Sequence, residues 1–576
     1  MPSWLLPVVV ALLTALAFGN AAPDLFIFDD GEFLPIPRPA GETLAHTATR
    51  LFREDAWPAR REATSPYRPL AWLSFVADDI AHPGDRAAYH RTSIALHVGA
   101  TLLVYALALA LLRHRAKSGA APRHRLAAAG AALLFGVHPV HTDAVDSVFN
   151  RSEVLATAAV LGALALFVTG FERRPRRTVV TCALLYLAGL FCKESAATLP
   201  ALLALAGAFL LRDVAPRERA RRLLPLLWLL APLAIYLAAR GAMRSAGAPS
   251  VAAVGTFADA VALALTAFRD SAALLVWPSP LRAVRTDYVA EAVPVAVLFA
   301  AGYGAALWKL RARAAGVALG LALFAVALAP TTRIFTRLAG AQPMAERYVY
   351  LPSAGAAVAV AFGLAWALRR FGSGRPAVAV AAVAALFAMQ TRARNEVWHA
   401  ELALFRAEVD ARPDNADALR LFSATWLAGG HAAELVTYCR ARVADPLPGA
   451  GGFFVTCGLA AQGLGREDDA ELFHRRANEV GATAITRYTY ARVLARRRRL
   501  DDAAEQYRLA VAAERDPVRQ HWLRAEEILK CEPARLDEAL VEIDAALRID
   551  PAFQIAQDLR RRIVAALAAR DAPAAP

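Results

Sequence analysis

Cysteine and lysine are both scarce in this chain of 576 residues. Its five cysteines form no CxxC pair, which argues against a metal knuckle and against a disulfide framework. Cys439 and Cys457 could still pair if their part of the chain faces an oxidising compartment. Only four of the 65 basic residues are lysine, and the arginines lie in short clusters between apolar runs. Despite the formal charge of +14, this spacing provides no single basic face and argues against nucleic-acid binding.

Apolar residues dominate instead, at 57% of the chain, which is too many for one soluble domain. Runs of about 18–20 residues, long enough to cross a hydrocarbon core, recur up to about Gln390, where charge density rises. We therefore predict an all-α protein with a transmembrane domain over 1–392 and a second domain over 393–576. The eleven predicted spans are 4–22, 91–112, 126–142, 153–171, 178–192, 195–211, 223–240, 291–308, 315–330, 348–368 and 376–391. The more charged segment 254–277 is predicted to be an amphipathic interfacial helix.

Arginine and lysine in the short connections predict the orientation, because cytoplasmic loops are enriched in them. One alternate set of connections carries 20 such residues and the other carries 5. The richer set, 113–125, 172–177, 212–222, 309–313 and 369–375, is therefore predicted to be cytoplasmic. The other connections and everything after about residue 392 then lie outside.

Helical repeats are predicted between about 395 and 570, where amphipathic helices come in pairs. Pro517 and Pro551 are 34 residues apart, the period of a tetratricopeptide repeat. Small residues such as Ala470, Ala503 and Ala539 would let paired helices approach closely. About four such repeats would bury a continuous core and form a protein-binding scaffold without chemistry of its own. The run Arg496–Arg499 is interpreted as a solvated helix end.

Paired acids, Asp29 and Asp30, follow the first predicted span. Acids at a membrane exit are costly unless they face water or a site. They could cap a helix or lie in a solvated loop. Alternatively, a carboxylate beside an apolar surface has a raised proton affinity and could act as a general base toward a hydroxyl.

Further polar residues lie at span ends that the orientation places on the same outer side. They are His138, His141, Asp143, Arg151, Lys193, Glu194, Glu346 and Arg347. The cationic members suit a phosphate or pyrophosphate headgroup whose lipid tail lies in the bilayer. The two histidines would permit a metal site, although helix capping is the favoured interpretation and no metal is predicted.

Five motifs in order carry a family resemblance: "FDD", "YRPL-x-x-LSF", "HPVHTDAV-x-x-x-x-NRSEVLA", "CKE" and "ERYVYLPS". With the repeats that follow, they resemble the transmembrane and tetratricopeptide repeat-containing O-mannosyltransferases over nearly the whole chain. The resemblance implies a GT-C-type membrane domain, a lipid-phosphate sugar donor and a base in the first outer loop. That role is carried onto Asp29 or Asp30, with Asp29 favoured because it aligns with the leading acid of a related "DE" motif.

The resulting hypothesis is an inverting membrane glycosyltransferase in a bacterial inner membrane, or in the ER membrane if the source is eukaryotic. It would move a sugar, with mannose favoured, from a polyprenyl-phosphate donor to Ser or Thr hydroxyls of a polypeptide acceptor bound by the repeats. Arg347 and Lys193, and after them Arg151, would bind the donor phosphate. No cofactor is predicted, although the class permits a divalent metal.

Two other functions compete with this hypothesis. One is sugar transfer to a lipid or an envelope glycan, which would make less use of the repeats. The other is a membrane-anchored scaffold without catalysis. A transporter is disfavoured because the charged groups lie at the predicted outer surface and not at the midplane.

Overall fold

The computed structural model describes residues 4–39, 41–53, 67–116, 122–242, 256–285, 293–332 and 344–571. Within these ranges every regular element is a helix, and the only β-type contact is an isolated bridge between Arg285 and Met344. The predicted all-α fold class is therefore confirmed. Two compact units divide the chain, Met1–Leu404 and Phe405–Pro576.

The first unit contains seventeen α-helices in the described ranges. They are α1 Leu5–Ala17, α2 Asp29–Phe33, α3 Leu44–Arg53, α4 Pro69–Ala81, α5 Arg86–Ala116, α6 Pro122–Gly136, α7 Thr142–Val145, α8 Arg151–Gly170, α9 Pro175–Cys192, α10 Leu199–Leu210, α11 Pro216–Leu223, α12 Leu230–Ala242, α13 Phe257–Val276, α14 Val293–Arg313, α15 Ala315–Leu328, α16 Tyr350–Phe371 and α17 Gly374–Val397. Short 3-10 turns precede or follow several of them, at Pro139–His141, Val148–Asn150, Glu194–Thr198, Leu224–Leu229, Ala329–Thr332 and Glu346–Val349.

Each of the eleven predicted spans coincides with a helix. Six helical stretches are long and apolar enough to cross a membrane: Arg86–Ala116, Val148–Gly170, Pro216–Ala242, Val293–Arg313, Glu346–Phe371 and Gly374–Val397. The protein is thus a polytopic integral membrane protein. The other five helices are shorter or less apolar; the first run, for example, forms only the 13 residues of α1. The predicted amphipathic segment is α13, which begins with a capping box between Thr256 and Asp259.

The core of the first unit is packed from small residues and aliphatic side chains. Helices α15 and α16 illustrate why, because a Cβ added at Gly320 or at Gly355 would collide with the backbone of the facing helix. Such small-residue contacts let helices approach closely within a bilayer, where apolar burial alone does not hold them together.

A second apolar cluster lies beyond this core and includes Trp72 and Phe75 of α4, Leu34, and Phe149. The ring of Phe149 stacks on Phe33 at 4.5 Å and on Trp72 at 5.4 Å between centroids. Helix α2, α4 and the turn before α8 are therefore packed on one another. This cluster fixes the position of the acidic pair at the start of α2.

The chain continues with ten helices, and from α19 onward each helix packs on the next along the chain. They are α18 Glu401–Ala411, α19 Ala416–Ala428, α20 Ala432–Arg442, α21 Gly451–Gly463, α22 Glu467–Gly481, α23 Ala484–Arg496, α24 Leu500–Ala513, α25 Pro517–Cys531, α26 Leu536–Ile549 and α27 Gln554–Asp571. Ala470, Ala503 and Ala539 are each the fourth residue of alternate helices, and all three are fully buried. That shared register is typical of a repeated helix pair.

Two further features of the second unit concern residues that the sequence singled out. Cys439 and Cys457 form a disulfide, with Cα atoms 6.1 Å apart. Arg497 and Arg499, from the arginine run, form ion pairs with Glu471 at 3.1 and 2.7 Å. The run is therefore a charged helix end that bonds to the neighbouring helix.

Candidate functional site

The connections assigned to one side by the charge count meet at one end of the first unit. We call this the polar end and define it by the contacts of Asp30, Asp143, Arg151, Lys193 and Glu194 described below. Because these residues come from connections far apart in sequence, the tertiary structure gathers nearly all of the sequence-predicted site residues.

Asp30 is fully buried and acts as a structural acceptor at the polar end. Its Oδ1 accepts hydrogen bonds from the backbone N–H of Phe149 at 2.7 Å and from the Ser147 hydroxyl at 3.1 Å. Its Oδ2 accepts from the N–H of Val148 at 3.0 Å. Burial raises the pKa of Asp30 to about 7, although these three donors oppose the rise by favouring the carboxylate. Both oxygens are occupied, so Asp30 pins α2 to the turn before α8.

Asp29, in contrast, is only partly buried and opens α2. Burial raises the pKa of its carboxyl group, Arg347 lowers it, and the charges of Asp143 and Glu32 raise it. The preceding residue, Phe28, has a φ of 56°, a left-handed conformation that is uncommon for a bulky side chain. Its N–H donates to Glu401 Oε1 at 2.9 Å. A strained residue held by a distant carboxylate thus precedes an acid with raised proton affinity.

Arg347, whose charge lowers the pKa of Asp29, is held in place by Asp143. The Asp143 carboxylate accepts from the Arg347 backbone N–H at 2.9 Å and lies 3.3 Å from its Nη1. Asn150 Nδ2 donates to the other oxygen of Asp143 at 3.1 Å. These contacts engage only Nη1 of the guanidinium, whose side chain is 13% exposed. Its Nε and Nη2 form no hydrogen bond to any residue that the structure describes, which leaves two donors on the guanidinium.

Lys193 and Arg347 both lie near the aromatic ring of Tyr348. Lys193 Nζ is 2.7 Å from Glu153 Oε2 and 5.7 Å from the centroid of Tyr348. The guanidinium carbon of Arg347 lies 5.3 Å from that centroid. Tyr348 therefore links the two cations predicted to bind phosphate. The sequence analysis missed Tyr348 as a site residue, although it lies within the "ERYVYLPS" motif.

Arg151, the third residue predicted to bind the donor phosphate, does not join Arg347 and Lys193 around Tyr348. Its side chain is fully buried, with Nη2 2.6 Å from Asp78 Oδ2 and 2.7 Å from the carbonyl oxygen of Tyr89. Its Nε donates to Ser93 at 3.1 Å, and its guanidinium lies over the ring of Phe75. With these partners Arg151 holds α4, α5 and α8 together.

Glu194 and Glu346 both bind arginines of neighbouring segments. Glu194 Oε2 accepts from Arg68 Nη2 at 3.0 Å, and its Oε1 lies 3.5 Å from Arg240. Glu346 is buried and lies 3.2 Å from Arg285 Nη2. The two glutamates hold these arginines in position. They are therefore not placed to act as the acid or base of a reaction themselves. Arg68 and Arg240, which the sequence analysis did not select, add positive charge to the polar end.

The two histidines are buried and bonded within the protein. His138 caps the following 3-10 turn, with Nδ1 accepting from the N–H of Val140 at 3.2 Å. His141 Nε2 lies 3.0 Å from the hydroxyl of Ser353. Within the described ranges no group of three or more His, Cys, Asp or Glu side chains is placed to hold a metal ion.

Asp146 is a further buried acid that the sequence analysis did not select. Only 2% of it is exposed, and among the described residues neither carboxylate oxygen has a hydrogen-bond partner. Burial raises its pKa well above the usual value, Arg394 opposes this, and Asp143 and Asp30 add to it. The only hint in the sequence was that Asp146 lies three residues after Asp143. The surrounding stretch has no charge pattern that would distinguish Asp146 from a surface acid.

The polar end therefore combines an accessible acid of raised proton affinity with an arginine and a lysine around one tyrosine. Such a set can take a proton from a neutral nucleophile while cations bind an anionic leaving group. Fold and site together define a polytopic helical membrane protein with acidic and cationic side chains grouped at one end of its spans.

Comparison with curated proteins finds similarity to protein O-mannosyl-transferases. The chain is 25% identical over 487 residues to protein O-mannosyl-transferase TMTC4 of Homo sapiens, covering 72% of this chain and 64% of that protein. It is 24% identical over 588 residues to TMTC3 of Mus musculus, covering 87% and 59%. It is 29% identical over 228 residues to Tmtc3 of Drosophila melanogaster, covering 36% and 24%.

No family model matches the chain. The matched part spans less than two thirds of the length of each of these three relatives. The chain is nevertheless a relative of the TMTC protein O-mannosyl-transferases, as the motifs predicted.

Proposed function

We propose that the chain is a membrane glycosyltransferase that transfers a sugar from a polyprenyl-phosphate donor to a Ser or Thr hydroxyl of a protein. The observation that carries the proposal is that Asp29, partly buried at the polar end, lies within electrostatic range of the Arg347–Asp143 pair. The names of its relatives support mannose as the sugar and a protein as the acceptor.

In the proposed reaction Asp29 accepts the proton of the acceptor hydroxyl as the oxygen attacks the anomeric carbon of the sugar. A new C–O bond forms there while the bond from the anomeric carbon to the phosphate oxygen breaks. The configuration inverts, and the electron pair leaves on the polyprenyl phosphate. Arg347 and Lys193 stabilise the charge that develops on that phosphate. Burial supports the role of Asp29, because a raised pKa makes its carboxylate a better proton acceptor.

The second unit is proposed to bind the polypeptide acceptor. Its buried disulfide, Cys439–Cys457, supports a place in an oxidising compartment. The orientation from the arginine count puts both the polar end and the second unit outside the cytoplasm. An acceptor bound by the second unit would then be on the same side of the membrane as Asp29.

The test compares sugar transfer by purified, lipid-reconstituted wild type, Asp29→Asn and Asp24→Asn. The donor is polyprenyl-phosphate mannose and the acceptor is a Ser/Thr-rich peptide. Asp24 is an exposed acid of the same segment and provides the matched control. We expect Asp29→Asn to lower the turnover rate by about 100-fold or more, which is the usual rate contribution of a general base. Asp24→Asn should leave the turnover rate unchanged. Equal rates for all three proteins would contradict the role of Asp29.

A further inference from the structure

A cavity of about 610 Å³ lies at the end of the first unit opposite the polar end. Helix α5 demonstrates the separation: Tyr89 contacts Arg151 at the polar end, whereas Leu112 and Arg115 line the cavity. At 1.5 Å per residue those positions are about 35 Å apart, close to the thickness of a hydrocarbon core. Helix α16 runs between the same two ends, and its stretch from Tyr350 to Arg369 is about 28 Å long. The cavity is therefore distinct from the site of the proposed reaction.

The lining of this cavity is cationic and has no acid among its described residues. Five arginines line it: Arg115, Arg123, Arg212, Arg313 and Arg369. Only Arg212 has a carboxylate partner, Asp213 at 3.4 Å. The other four form no ion pair or hydrogen bond in the described part of the chain. His124, 9% exposed, also lines the cavity, and its Nδ1 has no partner.

An apolar groove continues from the cavity along the spans. The two share Arg212, Ala312 and Ala315, and the groove has a volume of about 700 Å³. Most of its walls come from apolar residues of α10, α14 and α15, including Leu205 and Leu319. The charged residues among its lining are Arg212, Asp213, Arg219 and Arg311. A cationic chamber that opens into an apolar channel between membrane helices matches a ligand with an anionic head and a hydrocarbon tail.

We propose that this cavity and groove bind an anionic phospholipid of the adjacent leaflet, with its phosphate among the arginines and an acyl chain in the groove. Four arginines without partners leave positive charge that a phosphodiester neutralises, and guanidinium donors match phosphate oxygens in geometry. Basic pockets between membrane helices on the cytoplasmic side bind acidic lipid headgroups in this way. A soluble phosphate would use the arginines but not the groove.

Binding to the full chain tests the proposal. The protein in neutral detergent would be titrated with short-chain phosphatidylglycerol, and bound lipid counted by native mass spectrometry. One variant replaces Arg115, Arg123, Arg313 and Arg369 by glutamine. The matched control replaces Arg173, Arg174, Arg176 and Arg177, four exposed arginines of another connection in the same predicted cytoplasmic set. A single substitution, Arg369→Gln, keeps the test valid if the fourfold variant does not fold.

We expect the fourfold variant to bind phosphatidylglycerol at least tenfold more weakly than wild type, and Arg369→Gln about fivefold more weakly, the usual effect of one arginine near a membrane surface. The control variant should bind within twofold of wild type. Equal weakening by the cavity and control variants would overturn the proposal, since it would indicate general surface charge. Equal binding of phosphatidylcholine, or displacement by inorganic phosphate or polyprenyl phosphate at lower concentration, would also overturn it.

Discussion

At the scale of single residues, the structure separates two neighbouring acids by their partners. Asp30 uses both oxygens to hold the backbone of Val148 and Phe149, more than a hundred residues away in sequence. Asp29 retains an accessible carboxylate beside Arg347. Sequence alone favoured Asp29 only by a family motif, because the donors that occupy Asp30 come from a distant connection.

The charges around Asp29 predict opposite shifts of the pH profile for two variants. Only ionised Asp29 accepts a proton, so turnover falls as pH drops through its pKa, which is raised above 3.8. Arg347 lowers that pKa, so Arg347→Gln should move the acid limb to higher pH. Asp143 raises it, so Asp143→Asn should move the limb to lower pH.

The measurement is turnover at saturating donor and acceptor as a function of pH. Saturation separates the titration of Asp29 from weaker donor binding by the Arg347 variant. Shifts of the same sign for both variants, or none for either, would contradict the assignment of the acid limb to Asp29.

Substitution of Asp30 should lower the stability of the fold, whereas substitution of Asp29 should not. Asp30→Ala leaves buried N–H groups without an acceptor, which costs about 3 kcal/mol of unfolding free energy. Asp29→Asn removes no hydrogen bond of this kind, so its thermal midpoint should match that of wild type. Thermal unfolding of the two purified variants in the same detergent checks this. A stable but inactive Asp30→Ala protein would instead identify Asp30 as the reacting acid.

At the scale of elements, the spans were the most predictable part of the fold. Continuous apolar runs require helices in a bilayer, so each predicted span coincides with a helix. Their ends were less predictable: the run over 4–22 ends as a helix at Ala17, because Gly19 and Asn20 turn the chain. The burial of Arg151 between three helices was not predictable either, because it depends on Asp78 and Ser93 from other segments.

That burial predicts a structural role for Arg151. Arg151→Met leaves Asp78 as an unpaired buried charge, which costs about 3–5 kcal/mol of stability. We expect a lower yield of folded protein and an unchanged KM for the donor in the fraction that folds. Arg347→Gln, the comparison variant, should raise the donor KM without a comparable loss of yield. A raised donor KM in folded Arg151→Met protein would instead return Arg151 to the phosphate site.

At the scale of the whole molecule, two independent observations bear on which side of the membrane carries the second unit. They are the arginine count of the short connections and the disulfide. The arginines of the short connections predict that the second unit lies outside the cytoplasm. The Cys439–Cys457 disulfide requires an oxidising compartment to persist. Composition predicts a change from membrane domain to helical repeats near residue 392, and this boundary stays a prediction; the chain divides into compact units after Leu404.

The disulfide can be tested in cells and in the purified protein. Alkylation of unreduced cells should leave Cys439 and Cys457 unmodified and should modify them only after reduction. Removing the crosslink with paired Cys439→Ser and Cys457→Ser substitutions should destabilise the second unit by about 2–4 kcal/mol. Alkylation of both thiols without reductant would contradict an external second unit.

The proposed reaction as a whole is tested most directly by following donor and acceptor in one vessel. Purified wild-type protein would receive polyprenyl-phosphate mannose, a Ser/Thr peptide and a lipid acceptor, with all products measured by mass spectrometry. We predict one hexose added to a peptide hydroxyl for each polyprenyl phosphate released. Release of the lipid phosphate with the sugar on the lipid acceptor, or no release at all, would contradict the proposed function.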